Sequence, residues 1–144
     1  MTLPINTNSF DYKYNKTLNE DVKLTSDAYG DWDLDMDNGD YVNCTGLVSL
    51  NNACIIAIMT RFGELLGNPT YEEFGCHVHE LIKDNKTKLT LYKLETDIKE
   101  VFDKMRRISH VNYIKISEND AHSYLVNFCI TSINDEMLEG SVTL

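Results

Sequence analysis

Three clusters in the sequence combine residue types and spacings that could do chemistry. Asp33-x-Asp35-x-Asp37 sets carboxylates at alternating positions, Cys76-His77-x-His79 gathers zinc-type ligands beside Glu80, and Glu64, Glu72 and Glu73 could supply a pair of catalytic carboxylates. The first invites comparison with a calcium loop. Such a loop needs a glycine directly after its third acidic position and a bidentate glutamate at its end, whereas this chain has Asn38 and Cys44 there. The stretch therefore reads as the solvated acidic face of a strand pair. The second cluster fails on geometry: residues 77 and 79 would sit about 200° apart on a helix, and no second cluster supplies the missing ligands. No metal and no cofactor are expected. The third cluster is the basis of an alternative function, a wall-active glycan hydrolase pairing Glu64 with Glu72 or Glu73, since such enzymes hold two carboxylates about 5 to 9.5 Å apart. Against it, the adjacent Glu72 and Glu73 point different ways, and nothing nearby marks a sugar cleft or a desolvated general acid. His110 and His122 are isolated, and no Ser, His and acid arrangement is legible.

Composition narrows the partners. Thirteen Lys and Arg against 23 Asp and Glu leave a net charge of −10, a field that repels phosphate backbones and anionic lipid. Neither nucleic acid nor membrane is an expected partner. No run approaches the 18 or so apolar residues of a membrane span, and Met1-Thr2-Leu3-Pro4-Ile5-Asn6 has neither the basic start nor the apolar stretch of a secretion signal, so folding in the cytoplasm is expected. Cys44, Cys54, Cys76 and Cys129 lie far apart in apolar or half-apolar stretches, and a chain of 144 residues can build a core without staples. All four read as reduced core thiols.

These residues must be positioned by an α+β domain. Residues 1–30 are rich in Asn, Asp, Thr and Lys, with Tyr12, Tyr14 and Tyr29 scattered among them and no sustained period; they read as an extended arm. Residues 31–144 read as a single domain. From Asp31 the pattern alternates strictly, Trp32, Leu34 and Met36 against the aspartates, and Asn38-Gly39 suits a type I′ turn returning through Tyr41 to Thr45 as a β-hairpin. Leu47 to Leu66 then reads as a helix with Leu47, Leu50, Cys54, Ile58, Phe62 and Leu65 on one stripe, widened by Ile55, Ile56, Met59 and Leu66. Gly67-Asn68-Pro69 stops it. A short second helix is expected near Cys76 to Lys83, and a third over Lys88 to Ile108 with its stripe at Leu91, Leu94, Ile98, Val101, Met105 and Ile108. Period two returns after Ser109 in Val111 to Ile116, Tyr124 to Ile133 and Leu138 to Leu144, an antiparallel sheet.

One stretch carries a family likeness. Asp40-Tyr41-Val42, Gly46, the apolar helix ending Ile58-Met59-Thr60-Arg61-Phe62-Gly63-Glu64, then Asn68-Pro69, Phe74-Gly75 and Glu80-Leu81 resemble the baseplate wedge family of contractile tails. That family, found in Mu-like and T-even-like phages and in type VI secretion baseplates, has a helix running into Thr-x-x-Gly-Glu, a proline, an aromatic-Gly pair and a second helix. Its long later helix ends near an Arg-Ile pair, where this chain has Arg107-Ile108. Three positions depart from the pattern: Pro69 lies further from Phe74-Gly75, Leu65 follows the Gly-Glu where many members have Arg, and Met105-Arg106 replaces an acidic residue and proline. The resemblance implies a non-enzymatic structural part of a virion tail baseplate, present in several copies, that binds larger wedge proteins and offers an edge strand to the tail sheath. It also implies interface or motif roles for Thr60, Arg61, Gly63, Glu64, Pro69, Phe74, Gly75 and Arg107, with Arg61 and Glu64 making polar contacts to a partner or within the turn, set against simple punctuation of helix ends.

Overall fold

The computed structural model describes residues 18, 20–27, 31–65, 67–70, 73–82, 86–120 and 123–144. Tyr12, Tyr14, Tyr29, Glu72 and His122 lie outside the described residues. The chain forms two compact units that meet in sequence between Asn52 and Ala53.

Among the described residues, the N-terminal unit contains six short strands: β1 (Asp21–Val22), β2 (Leu24–Ser26), β3 (Trp32–Leu34), β4 (Met36–Asp37), β5 (Asp40–Tyr41) and β6 (Asn43–Cys44). Asn38 (φ 50°) and Gly39 (φ 81°) make the expected tight turn, so that Met36 pairs with Tyr41 and Asp37 with Asp40. The rest of the hairpin differs from the expectation. β3 pairs antiparallel with β2, and β6 with β1, so residues that the sequence pattern counts with the arm supply both partner strands. Asn52 joins these pieces to the following helix: its amide donates to the Val22 carbonyl at 2.8 Å and to the Cys44 sulfur at 3.4 Å. Cys44 is half-buried rather than a core residue; all four cysteines are free, and the other three are buried.

Helix α1 (Gly46–Met59) runs across the boundary and buries Leu50, Cys54, Ile55, Ala57 and Ile58. It ends at Met59, well short of Leu66, although the apolar period continues through Phe62 and Leu65. Both of those side chains are exposed. The helix stops because its next backbone groups are bonded elsewhere, as the site geometry below explains.

In the C-terminal unit α2 is a single turn (Val78–Leu81), and α3 spans Lys88–Asp103. Thr87 caps α3, its hydroxyl oxygen accepting from the Thr90 amide at 3.2 Å. The buried line of α3 is Thr90, Leu94, Ile98 and Phe102, a strict four-residue spacing, while Leu91, Val101, Met105 and Ile108 are half-buried. The helix ends five residues before Ile108 because a turn intervenes: the Ile108 amide donates to Met105, and the Arg107 carbonyl accepts from Ile133 at 3.0 Å, which starts the sheet. That sheet has the order β7 (Ile108–Glu118), β8 (Tyr124–Ser132), β9 (Met137–Thr143), all antiparallel. The architecture is thus α+β, with N-terminal strand pairs, three helices among the described residues and a C-terminal three-stranded sheet. α3 packs against β7, and Phe102 meets Phe128 edge to face with ring centroids 5.2 Å apart. Among the described residues, no helix is long and apolar enough to cross a membrane.

Candidate functional site

The segment after α1 is a tight knot of backbone hydrogen bonds. Thr60 closes the helix twice over, its amide (2.9 Å) and its hydroxyl (2.7 Å) both donating to the Ile56 carbonyl. The Thr60 carbonyl then accepts from the Cys76 amide at 2.9 Å, and the Phe62 amide donates to the Cys76 carbonyl at 3.1 Å, a parallel bridge between Arg61 and Cys76. These bonds take the amides and carbonyls that a longer helix would use. Gly63 (φ 79°) turns the chain, and Glu64 locks the turn in both directions: its amide donates to the Arg61 carbonyl, and its carboxylate accepts from the Arg61 amide, each at 3.0 Å.

Gly75 is what lets the two segments approach. At φ 111°, a Cβ on this residue would stand 2.6 Å from the Arg61 carbonyl oxygen and 2.8 Å from the Phe62 nitrogen. The structure therefore brings Thr60, Arg61, Gly63, Glu64 and Gly75 together in one backbone motif. Phe74 is half-buried just before it, and Pro69 is exposed in a turn where the Asn68 side chain accepts from the Thr70 amide at 3.1 Å. Arg107 lies apart from this group in the chain, at the α3–β7 junction. Its charge acts on the buried Cys54 thiol, opposing the burial that pushes that thiol up to about 12.

The Cys76-His77-x-His79 cluster is divided among three different partners. His79 meets the Ile58 carbonyl through Nε2 at 3.0 Å; a carbonyl can only accept, so Nε2 carries the proton and caps an open end of α1. His77 stacks on Phe62 with centroids 4.2 Å apart and reaches Glu80 at 3.9 Å. The Cys76 thiol, pushed up to about 12 by burial, donates to Asp97 at 3.5 Å. Burial also raises the Asp97 carboxyl above its ordinary value, more than the thiol contact and His77 lower it. Among the described residues, no group of three His, Cys, Asp or Glu converges on a metal position.

Sequence reasoning missed the surroundings of Asp97. A hollow of about 290 Å³ opens between α2 and α3, where Asp97 and Glu100 face Glu80 and Leu81 beside the exposed Tyr92. The signal was present in the spacing of Tyr92, Thr96 and Glu100 along one face of α3, but it named no partner until α2 was in place.

No protein-family model matches the sequence, and no curated protein sequence is significantly similar to it. Among solved structures, the crystal structure of a Geobacter sulfurreducens protein, provisionally named a tail lysozyme, superposes with a TM-score of 0.56. The identity is 18%, over 66% of this chain and 86% of that one, a likeness of fold.

Proposed function

We propose that this chain is a non-catalytic structural component of a contractile-tail baseplate, present in several copies, which binds larger wedge proteins and offers its last strand to the sheath. The observation that carries the reading is the edge of the C-terminal sheet. β9 pairs with β8 in continuous register from Met137 to Thr143, and among the described strands it has no second neighbour. Leu144 and Tyr124 exchange both backbone bonds at 2.8 Å, so by alternation Val142, Gly140 and Leu138 bond to β8. The amides of Met137, Glu139, Ser141 and Thr143 then point away from the sheet. Natural edges are usually blunted by Lys, Pro or bulges, yet β9 has one charge and no proline. β7, the opposite edge, has two register shifts and packs against α3. A row of open amides on an uninterrupted strand suits strand addition.

The fold likeness to a protein named a tail lysozyme supports a tail setting, and the proposal adds assembly in the host cytoplasm and residence in the virion. That same name favours the hydrolase reading with Glu64 and Glu72 or Glu73. The side chains weigh against it: Glu64 is bonded into a turn, and both Glu64 and Glu73 are exposed, whereas a glycosidase acid works from an apolar setting.

Co-expression with the wedge and sheath proteins of its own gene neighbourhood, followed by size exclusion with light scattering, tests the proposal. A stable hetero-complex is expected, and Ser141→Pro, which removes an outward amide, should lose the sheath while retaining the fold. A monomer in every combination overturns the proposal. Release of peptidoglycan fragments by the parent protein, abolished in Glu64→Gln, would replace it with the hydrolase.

A further inference from the structure

We propose that the groove between α2 and α3 is a docking site for an arginine-bearing peptide segment of another protein. The inference concerns a surface separate from the β9 edge and holds whether or not the partner belongs to a tail.

The groove combines the two things a guanidinium recognises. Its carboxylates, Glu80, Asp97 and Glu100, outnumber its one fixed cation, Lys93. Its aromatic ring, Tyr92, is 67% exposed and so presents a face for stacking. Leu81, half-buried on the α2 side, adds an apolar wall for the aliphatic stem of an arginine or the residue beside it. Asp97 is the anchor. It is half-buried; its Oδ2 accepts a thiol at 3.5 Å and the carboxylate also takes a backbone hydrogen bond from His77, which leaves only part of its accepting capacity for a donor from outside. A planar fork of N–H donors fills that capacity with charge-assisted bonds, and a lysine would supply the charge without the fork or the stacking plane. Phosphate-bearing ligands face repulsion from the same three carboxylates.

The acidic strip in the N-terminal unit provides an internal contrast. Asp33, Asp37 and Asp40 are exposed, and Asp35 already pairs with Lys23 at 3.3 Å. Bare negative charge would draw a cation to both places; the groove adds a ring, an apolar wall and a half-buried carboxylate.

The test is a titration of the ¹⁵N-labelled full chain with acetyl-Leu-Arg-Leu-amide, followed by NMR, with acetyl-Leu-Gln-Leu-amide in parallel. Saturable shifts are expected at the amides of residues 77–81 and 92–100 with the arginine peptide alone. The double variant Asp97→Asn, Glu100→Gln keeps side-chain size and should bind on the order of tenfold more weakly, since charge-assisted bonds are lost. Should that variant fail to fold, Tyr92→Ala at an exposed position should also weaken binding. The proposal is overturned if no saturable shift appears up to low-millimolar peptide, if shifts along Asp33–Asp40 match those in the groove, or if the variant that folds binds as the parent does.

Discussion

The two units use alternation very differently. In β3 and β4 the apolar side of the pattern is only lightly covered, with Leu34 41% and Met36 51% exposed, on strands of two or three residues. In β8 the apolar residues Val126, Phe128 and Ile130 are buried, between two neighbouring strands and near Phe102 of α3. Alternation in a sequence thus states which residues are able to share a face. Burial follows only where another element covers that face, and the stability a side chain contributes follows the burial.

Truncation in the covered sheet should break the C-terminal unit. Phe128→Ala removes a ring packed on Phe102, and a loss of about 3–5 kcal/mol is expected in denaturant unfolding. The knot after α1 should come next. Gly75→Ala combines a backbone clash with left-handed strain and should cost about 2–4 kcal/mol, whereas glycine elsewhere on an open turn, such as Gly39, meets nothing within 4 Å.

Asp97 sharpens the comparison through pH. Because burial raises its carboxyl in the folded state, its protonated form favours folding below the ordinary value of 3.8, and that contribution is lost as pH rises through the folded value. Asp97→Asn removes the ionised form and keeps an acceptor for Cys76. The variant should therefore match the parent in acid and become the more stable of the two towards neutral pH, as thermal melts across that range would show. At the small end, Leu34→Ala in the lightly covered strand should change stability by no more than about 0.5 kcal/mol. A loss comparable to that of Phe128→Ala would show that the N-terminal strands bury this face after all.

Legibility followed the range of the interaction. Asn38-Gly39 announced its turn because positive φ is a property of two adjacent residues, and the start of α3 at Lys88 was legible because a helix start, capped here by Thr87, is equally local. The Thr-x-x-Gly-Glu stretch was visible as a motif, but its meaning was not. Glu64 was open to three roles, a catalytic acid, a partner contact or a polar contact with Arg61 within the turn, and only the folded backbone shows its carboxylate accepting from the Arg61 amide. The end of α1 was misread because apolar spacing carries on through Phe62 and Leu65, while the bonds that stop the helix come from Cys76, fifteen or so residues away and beyond the reach of any periodic signal.

By itself, then, the sequence determined the order of strands and helices from β3 onward, the α+β class, the acidic charge and the positions of the local turns, since each depends on neighbouring residues along the chain. Tertiary structure decided that β1 and β2 pair with β6 and β3, that Gly75 must lack a side chain, that β9 is left as an edge, and that Asp97 looks into a groove. Those outcomes rest on backbone and side-chain groups distant in sequence, whose partners exist only once the chain has folded.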